Sequence, residues 1–356
     1  MYFNNDNDPL GGTSSPYSYT DESFGAIEYP EITSLAIEED SKPSFAVLGQ
    51  FEDSPTSVNI YQVEKPRETL GSTVKAKDLA ETLNFNSSSI NQETTLKWSE
   101  GGRELVFNKL TQNSSYRNNV LFNSELNKPE FLDIEEINTL TNSLASSLKF
   151  QLSQERRVIE YLTKAGNAVA TTDVASNADF VRSKYSQNFE IVSLRTSVVE
   201  NDSGIGSRAE ALDADIYFND INKSSYMITV SNEERQLASN KEDIDYLVSF
   251  ENNELQIDSE NVATYPLKSI ENAWEEVKDG EASLKYLVKD NENAYSEYNP
   301  MQVSRFIVDP DLSELGFFAP DEWKGYIYPI YVFRGSAELA NGQNASFIFY
   351  VKAIED

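Results

Sequence analysis

The 356-residue chain carries 29 basic against 59 acidic side chains, a formal charge of −30, with 39% hydrophobic and 12% aromatic residues and neither histidine nor cysteine. Those absences exclude Ser–His and Cys–His catalysis, zinc or haem ligation through imidazole or thiolate, and disulfides, and so negative a surface repels nucleic acid and anionic lipid headgroups. The apolar content suffices for packed cores, and the length fits two or three domains of about 150 residues each.

Residues 1–40 lack hydrophobic periodicity and read as a flexible polar leader; Met1–Pro30 has neither the basic nor the apolar region of a signal peptide. The apolar run Ser44–Gly49 predicts a first strand, and the alternating Val58–Val63 a second, ended by Lys65-Pro66. Ser72 or Thr73 is placed to cap a helix that places Ala76, Leu79, Ala80 and Leu83 on one face. Thr94–Trp98 and Arg103–Lys109 flank Gly101-Gly102 as a hairpin, with Asn119–Phe122 extending the sheet. Asp133 with Glu136 forms a capping box that opens a helix whose buried face is Ile134, Ile137, Leu140, Leu144 and Leu148. A further helix is predicted over Glu155–Ala165, closed by Gly166.

From there the period changes to two. Strands are predicted at Phe189–Val198, Ala214–Asn219, Tyr226–Ser231, Tyr246–Phe250 and Glu254–Asp258, with Asn252-Asn253 as the hairpin turn between the last two. Ser269 caps a helix with an apolar face of Ile270, Ala273, Trp274 and Val277, and Gly280 stops it. Strands follow at Ala282–Val288, Gln302–Val308, Tyr326–Arg334 and Ala345–Ala353, the last two joined across Ala340-Asn341-Gly342; Pro329 implies an edge position or a bulge. The fold class is α+β, short helices packed on antiparallel sheets in two or three related modules. The expected divisions are a leader at 1–40, an N-terminal α+β module at 41–130, a helical connector at 131–188 and a C-terminal α+β domain at 189–356. No apolar stretch approaches the ~18 residues of a membrane span.

Ser269-Ile270-Glu271-Asn272-Ala273-Trp274, Lys278-Asp279-Gly280, Tyr328-Pro329-Ile330-Tyr331-Val332-Phe333-Arg334-Gly335 and Phe349-Tyr350-Val351-Lys352-Ala353 carry a resemblance. Their spacing resembles that of PepSY-like and YycH/YycI-like two-lobed extracytoplasmic bacterial proteins. A weaker echo runs through the segment from Ala76 to Phe85, Leu96-Lys97-Trp98 and Leu105-Val106-Phe107. The resemblance implies an ectodomain, held to the bacterial membrane by an N-terminal helix or lipid, that regulates or scaffolds a membrane partner and catalyses no reaction.

Candidate chemistry rests on carboxylates, hydroxyls and aromatics. Asp309-Pro310-Asp311 with Glu314, Asp290 with Glu292 and Glu297, and Asn5–Gly12 offer oxygens of the kind calcium takes, but none has the Asp-x-Asp-x-Asp-Gly order with a closing Glu, and solvated loops are the simpler reading. Among 59 acids, no glycosidase pair is singled out. Ser72-x-x-Lys75 has the bare spacing of a Ser–Lys nucleophile, against the helix-cap reading of Ser72. Phe317, Phe318, Trp323, Tyr326 and Tyr328 surround Pro320 where a loop meets the last hairpin, and read either as a partner-binding patch or as rings closing the core. Trp98 and Trp274 lie on apolar periods as core residues.

The resulting expectation is a non-enzymatic extracytoplasmic protein-binding, scaffold or regulatory ectodomain at a bacterial cell surface. Its partner is a protein, membrane-bound and basic, and nucleic acid is excluded; no catalytic residue, metal or cofactor is indicated. The alternatives are a structural subunit of a phage or surface appendage, a carboxylate-based hydrolase, and a cytoplasmic location.

Overall fold

A computed structural model describes residues 22–52, 54–123, 132–163, 178–187, 190–198, 205–232, 242–290 and 298–355. In chain order the first strands are β1 (Ser44–Val47), β2 (Ser57–Val63), β3 (Ile90–Asn91), β4 (Thr95–Glu100), β5 (Arg103–Asn108) and β6 (Ser114–Asn118), with helix α1 (Leu70–Thr82) between β2 and β3. Helices α2 (Asn119–Asn123) and α3 (Ile134–Leu148) precede β7 (Leu152–Leu162), β8 (Phe180–Gln187), β9 (Glu190–Val198), β10 (Ile205–Asp213), β11 (Ile216–Phe218), β12 (Tyr226–Ser231), β13 (Leu247–Asn252) and β14 (Ile257–Pro266). Helix α4 (Ile270–Asp279) leads into β15 (Ser283–Lys289), β16 (Val303–Ala319), β17 (Tyr328–Leu339) and β18 (Asn344–Lys352). The class is α+β with sheet dominating.

The strands form an eight-stranded antiparallel sheet in the order β3-β4-β5-β6-β13-β12-β8-β7, a four-stranded sheet β10-β9-β2-β14, and a six-stranded sheet β1-β16-β17-β18-β15 with β11 also on β16. The six-stranded sheet is mixed rather than purely antiparallel, because β1 and β11 both run parallel to β16. The sheets cut across the expected sequence blocks: β12 and β13, grouped by sequence with the C-terminal domain, pair with β8 and β6 in the sheet built from the N-terminal strands.

Two cores follow. Helices α1 and α3 bury Ala76, Leu79, Ala80, Ile137, Leu140 and Leu144 against Trp98, Phe107, Tyr185 and Phe250 of the eight-stranded sheet. Helix α4 buries Ile270, Ala273, Trp274 and Val277 against Phe306, Phe333 and Phe347 of the six-stranded sheet; each large side chain so buried contributes roughly 1.5–3 kcal/mol. Ser269 accepts from the Asn272 amide and Gly280 ends α4 in the left-handed region, as its sequence predicts. Among the described residues no helix is long and apolar enough to cross a membrane.

Several local expectations are corrected. The cap of α1 is Thr69, not Ser72 or Thr73; Ser72 is the third helical residue and returns its side chain to the Thr69 amide, completing a capping box. Ile134 is 58% exposed, so the buried face of α3 begins at Ile137. The helix predicted over Glu155–Ala165 is strand β7 through Leu162, while Ala165 itself lies outside the described residues. Its Val158-Ile159-Glu160-Tyr161-Leu162 run is rich in β-branched and aromatic residues, and pairing with β8 from Val158↔Lys184 to Leu162↔Phe180 overrides weak helical propensity. The 131–188 segment is therefore helix then sheet, not a helical connector. Asn252-Asn253 is not a hairpin turn: β13 pairs with β12 and β6, whereas the next strand, β14, pairs with β2 in another sheet. Pro329 lies in a central strand, tolerated because it is the second residue of β17, ahead of the paired stretch with β18 that starts at Ile330.

Residues 22–40, expected within the flexible leader, form an irregular strap. Tyr29 donates to the Pro329 carbonyl at 2.5 Å, Tyr265 donates to the Gly25 carbonyl at 2.7 Å, and the Leu35 amide donates to Leu284 on β15 at 2.7 Å. The spaced apolar residues Phe24, Ile27, Tyr29 and Ile32 pack on the sheets and fix its path.

Candidate functional site

The largest cleft among those described, about 740 Å³, opens between the end of the eight-stranded sheet and the outer face of the six-stranded sheet. One wall is β7–β8, where the register sets Glu160 opposite Arg182 and Val158 opposite Lys184. Lys184 approaches Glu160 to 2.7 Å and Arg182 approaches the same carboxylate to 3.9 Å, so two cations share one anion. Arg157, opposite Tyr185 in the register and so on the other face of β7 from Glu160, also borders the cleft.

The facing wall brings together Tyr217 from β11, Glu314 from β16 and Arg334 from β17. A bulge in β16 between Asp309 and Glu314 moves the register so that Asp309 faces Arg334 and Glu314 faces Val332. Arg334 then reaches back, donating to Glu314 Oε1 at 2.6 Å and the Leu312 carbonyl at 3.1 Å through one nitrogen, and to Tyr217 Oη at 2.7 Å through the other. Tyr217 Oη in turn donates to Glu314, closing a three-membered network. The Tyr217 ring fits because residue 316 is glycine; a Cβ there would stand 2.5 Å from its Cε2.

The electrostatics follow from this closure. Burial pushes the Tyr217 hydroxyl well above its ordinary range, against the opposing pull of Arg334. Burial works to lower Arg334, but Tyr217 and Glu314 outweigh it and hold the guanidinium more firmly charged than usual. Tyr350, whose ring lies 5.4 Å from that of Tyr217, is raised chiefly by burial. Tyr286 on β15 is raised by burial and then by the charge of Glu160 on the opposite wall. Near neutral pH the cleft therefore holds protonated phenols and a charged Arg334 guanidinium, with Tyr217 and Arg334 committed to Glu314. Among the described residues no group of three acidic side chains is arranged to hold a metal ion.

A second cleft of about 650 Å³ adjoins the first and shares Ile221, Asn222 and Tyr286 with it. In it Lys285 donates to the Thr33 carbonyl at 2.8 Å and to Thr33 Oγ1 at 2.9 Å, and burial lowers its pKa.

The aromatic patch expected from sequence divides. Phe317, Phe318 and Tyr328 are buried: Phe317 in the core under α4, Phe318 and Tyr328 in a smaller core with Ile330 and Val332. Burial, followed by Tyr326, pushes the Tyr328 hydroxyl up to about 12. These three cannot meet a partner without unfolding the sheet, which corrects the expectation. Trp323 and Tyr326 stay at the surface and line a small cleft of about 150 Å³, joined to the large one through Phe218 and Lys223. Trp323 is 43% exposed, donates through Nε1 to the Val63 carbonyl at 3.0 Å and lies under Lys65; the Tyr326 ring packs against Phe24 at a tilt of 30°.

The other sequence candidates do not assemble. Ser72 donates to the Thr69 carbonyl and Lys75 to Gln112, not to each other. Glu314, read as a calcium oxygen, is committed to Arg334, and Asp309 accepts from the Asp311 amide within the β16 bulge. Glu292, Glu297 and Asn5–Gly12 lie outside the described residues. Sequence reasoning missed Tyr217, Arg334, Tyr286, Lys184 and Glu160 as a group. The available signal was a permanent cation, Arg334, directly after the otherwise apolar Tyr326–Phe333 run.

No family model matches the chain, and no curated protein matches it. Among solved structures the chain is similar to an uncharacterized protein from Eubacterium rectale, with a TM-score of 0.35 and 10% identity over 90% of this chain and 92% of that one.

Proposed function

We propose that this protein is a recognition module that holds a segment of another molecule in the cleft between its sheets and does not transform it. The observation that carries the reading is the mutual engagement of the polar groups that line the cleft. Arg334, Glu314 and Tyr217 satisfy one another, as do Lys184 and Glu160. Such pre-tied donors orient a guest at little entropic cost, while the raised phenols are poor general bases near neutral pH. The helix-on-sheet arrangements of α1 and α3 and of α4 support the idea of related modules. The resemblance to PepSY-like and YycH/YycI-like ectodomains supports an extracytoplasmic, cell-surface role, and the −30 charge favours a partner with a basic surface outside the cleft.

Peptide and glycan arrays probed with the full chain and with Tyr286→Ala, followed by mass analysis of the retained ligand, test this reading. Expected is retention of unmodified ligand that is lost in the variant. Release of a cleaved product, or binding indifferent to Tyr286→Ala, overturns it.

A further inference from the structure

The edges of the sheets are not equally protected. A free edge presents unpaired N–H and C=O groups to any other strand, and proteins blunt such edges by shortness, bulges, charges or a covering segment. β3 ends its sheet with two residues. β14 carries a bulge between Asp258 and Val262, together with the acids Asp258 and Glu260. β15 takes the strap along its outer side: the Leu35 amide donates to the Leu284 carbonyl at 2.7 Å, and the Leu284 amide donates to Ser34 Oγ at 3.0 Å.

β1, at the far edge of the same six-stranded sheet, differs. It runs Ser44-Phe45-Ala46-Val47 and continues into Leu48 without a charge, in a chain that is 25% charged. One side pairs with β16, and among the described residues no strand pairs with the other. The Leu48 amide donates to the Val308 carbonyl at 2.9 Å. In a parallel ladder alternate residues bond to a given neighbour, so Ala46 and Leu48 turn their main chain toward β16, while Phe45 and Val47 turn theirs outward. The side chains alternate as well. Phe45 and Val47 pack on the core under α4, whereas Leu48, on the opposite face, is 65% exposed.

We propose that β1 is a self-association edge: two copies of this chain pair their β1 strands antiparallel about a two-fold axis through Ala46, joining their six-stranded sheets into one. A two-fold contact sets a surface against itself, and a strand without charge opposes no like charges when it meets its own copy. Centring on Ala46 overlaps all of Ser44–Leu48. Phe45 then lies opposite Val47 of the second copy, the two exchanging their outward N–H and C=O groups, and Leu48 lies opposite Ser44 of the second copy. Glu39, Asp40 and Glu52 flank the strand and each copy carries a charge of −30, so repulsion opposes the contact and salt relieves it. The screening length falls from about 10 Å at 0.1 M salt to about 3 Å at 1 M. So short a ladder makes the association weak. The pairing is independent of what the cleft holds.

Sedimentation velocity of the full chain over a concentration series, at about 0.1 M and about 1 M sodium chloride, tests the proposal. Expected is a reversible monomer–dimer equilibrium that tightens at least about tenfold at the higher salt and that Leu48→Lys weakens at least about tenfold. Position 48 is exposed, so the circular dichroism of this variant is expected to match that of the parent protein. Because the chain has no cysteine, single cysteines report the register. Ala46 faces its own copy in a non-hydrogen-bonded pair with Cα atoms about 4.5 Å apart, within disulfide reach, so oxidised Ala46→Cys is expected as a covalent dimer. Leu48 stands roughly 13 Å from its own copy, so Leu48→Cys is expected to stay unlinked under the same oxidant. A monomer at every concentration and salt, a dimer indifferent to Leu48→Lys, or cross-linking of Ala46→Cys no faster than that of Leu48→Cys overturns the proposal.

Discussion

Arg334 is the charge on which one wall of the cleft depends. Removing it as Arg334→Met leaves Glu314 and Tyr217 half-buried with their shared donor gone, and hydrogen bonds to charged groups of this kind are worth about 1.5–3 kcal/mol. A urea titration is expected to show a loss of about 2 kcal/mol. Arg334→Lys is expected to recover only part of it, because an ammonium cannot reproduce the two-nitrogen fork that reaches both partners. Glu254 acts in the opposite sense. It lies at the seam beside the small cleft, and burial raises its pKa above the ordinary carboxylate value of 4.5, outweighing nearby Lys75. A raised carboxylate pKa means the folded state binds the proton more tightly than the unfolded one. Stability contributed by this group is therefore present at low pH and lost as pH rises through the folded-state pKa. Glu254→Gln is expected to raise the melting temperature at pH 7 and to make little difference below the ordinary carboxylate pKa, as thermal melts at the two pH values would record.

At the scale of elements, the β16–β17 pair decides whether the wall exists. Gly335 faces Val308, just before the bulge, and a Cβ on it would run into the Ile307 carbonyl and stand 2.9 Å from Val308 Cα. Main chain cannot step aside as a side chain can. Gly335→Ala is therefore expected to cost about 3 kcal/mol or more, at the upper end of overpacking. At Gly316 the nearest obstacle is the Tyr217 ring, a side chain, with the Asp215 carbonyl farther off at 3.2 Å, so Gly316→Ala is expected to cost less, about 1–2 kcal/mol. Equal losses in chemical denaturation would contradict this ordering. The contrast also marks what the sequence made legible. The hairpin at Gly101-Gly102 and the helix from Ser269 to Gly280 are written in adjacent residues: a turn pair with positive φ, a cap, a stripe and a stop. β7 was not legible, because Val158–Leu162 does not alternate and its partner β8 lies beyond an intervening segment. Tyr217, Glu314 and Arg334 were not legible as a site, since they meet only through two strand pairings and a bulge that no local pattern encodes. The aromatic patch was half legible: Trp323 and Tyr326 stay outside, whereas strand alternation and the second layer of packing take Phe317, Phe318 and Tyr328 inward.

At the scale of the whole molecule, two helix-covered sheets meet along a groove lined by charges of both signs that pair with one another. A net charge of −30 favours a well-solvated surface and repels anionic molecules at long range. The sheets are stitched across long sequence separations, with β2 joining β14 and the strap of residues 22–40 crossing to β15 and β17, so the groove is held by the entire fold rather than by one segment. The most direct measurement is hydrogen–deuterium exchange of the full chain with and without a ligand retained on the peptide or glycan arrays. Slowed exchange confined to the strands that line the large cleft, β7, β8, β11, β16 and β17, is expected. Unchanged exchange in those strands while the ligand is bound, or protection confined to the Trp323 cleft, would contradict recognition in this cleft.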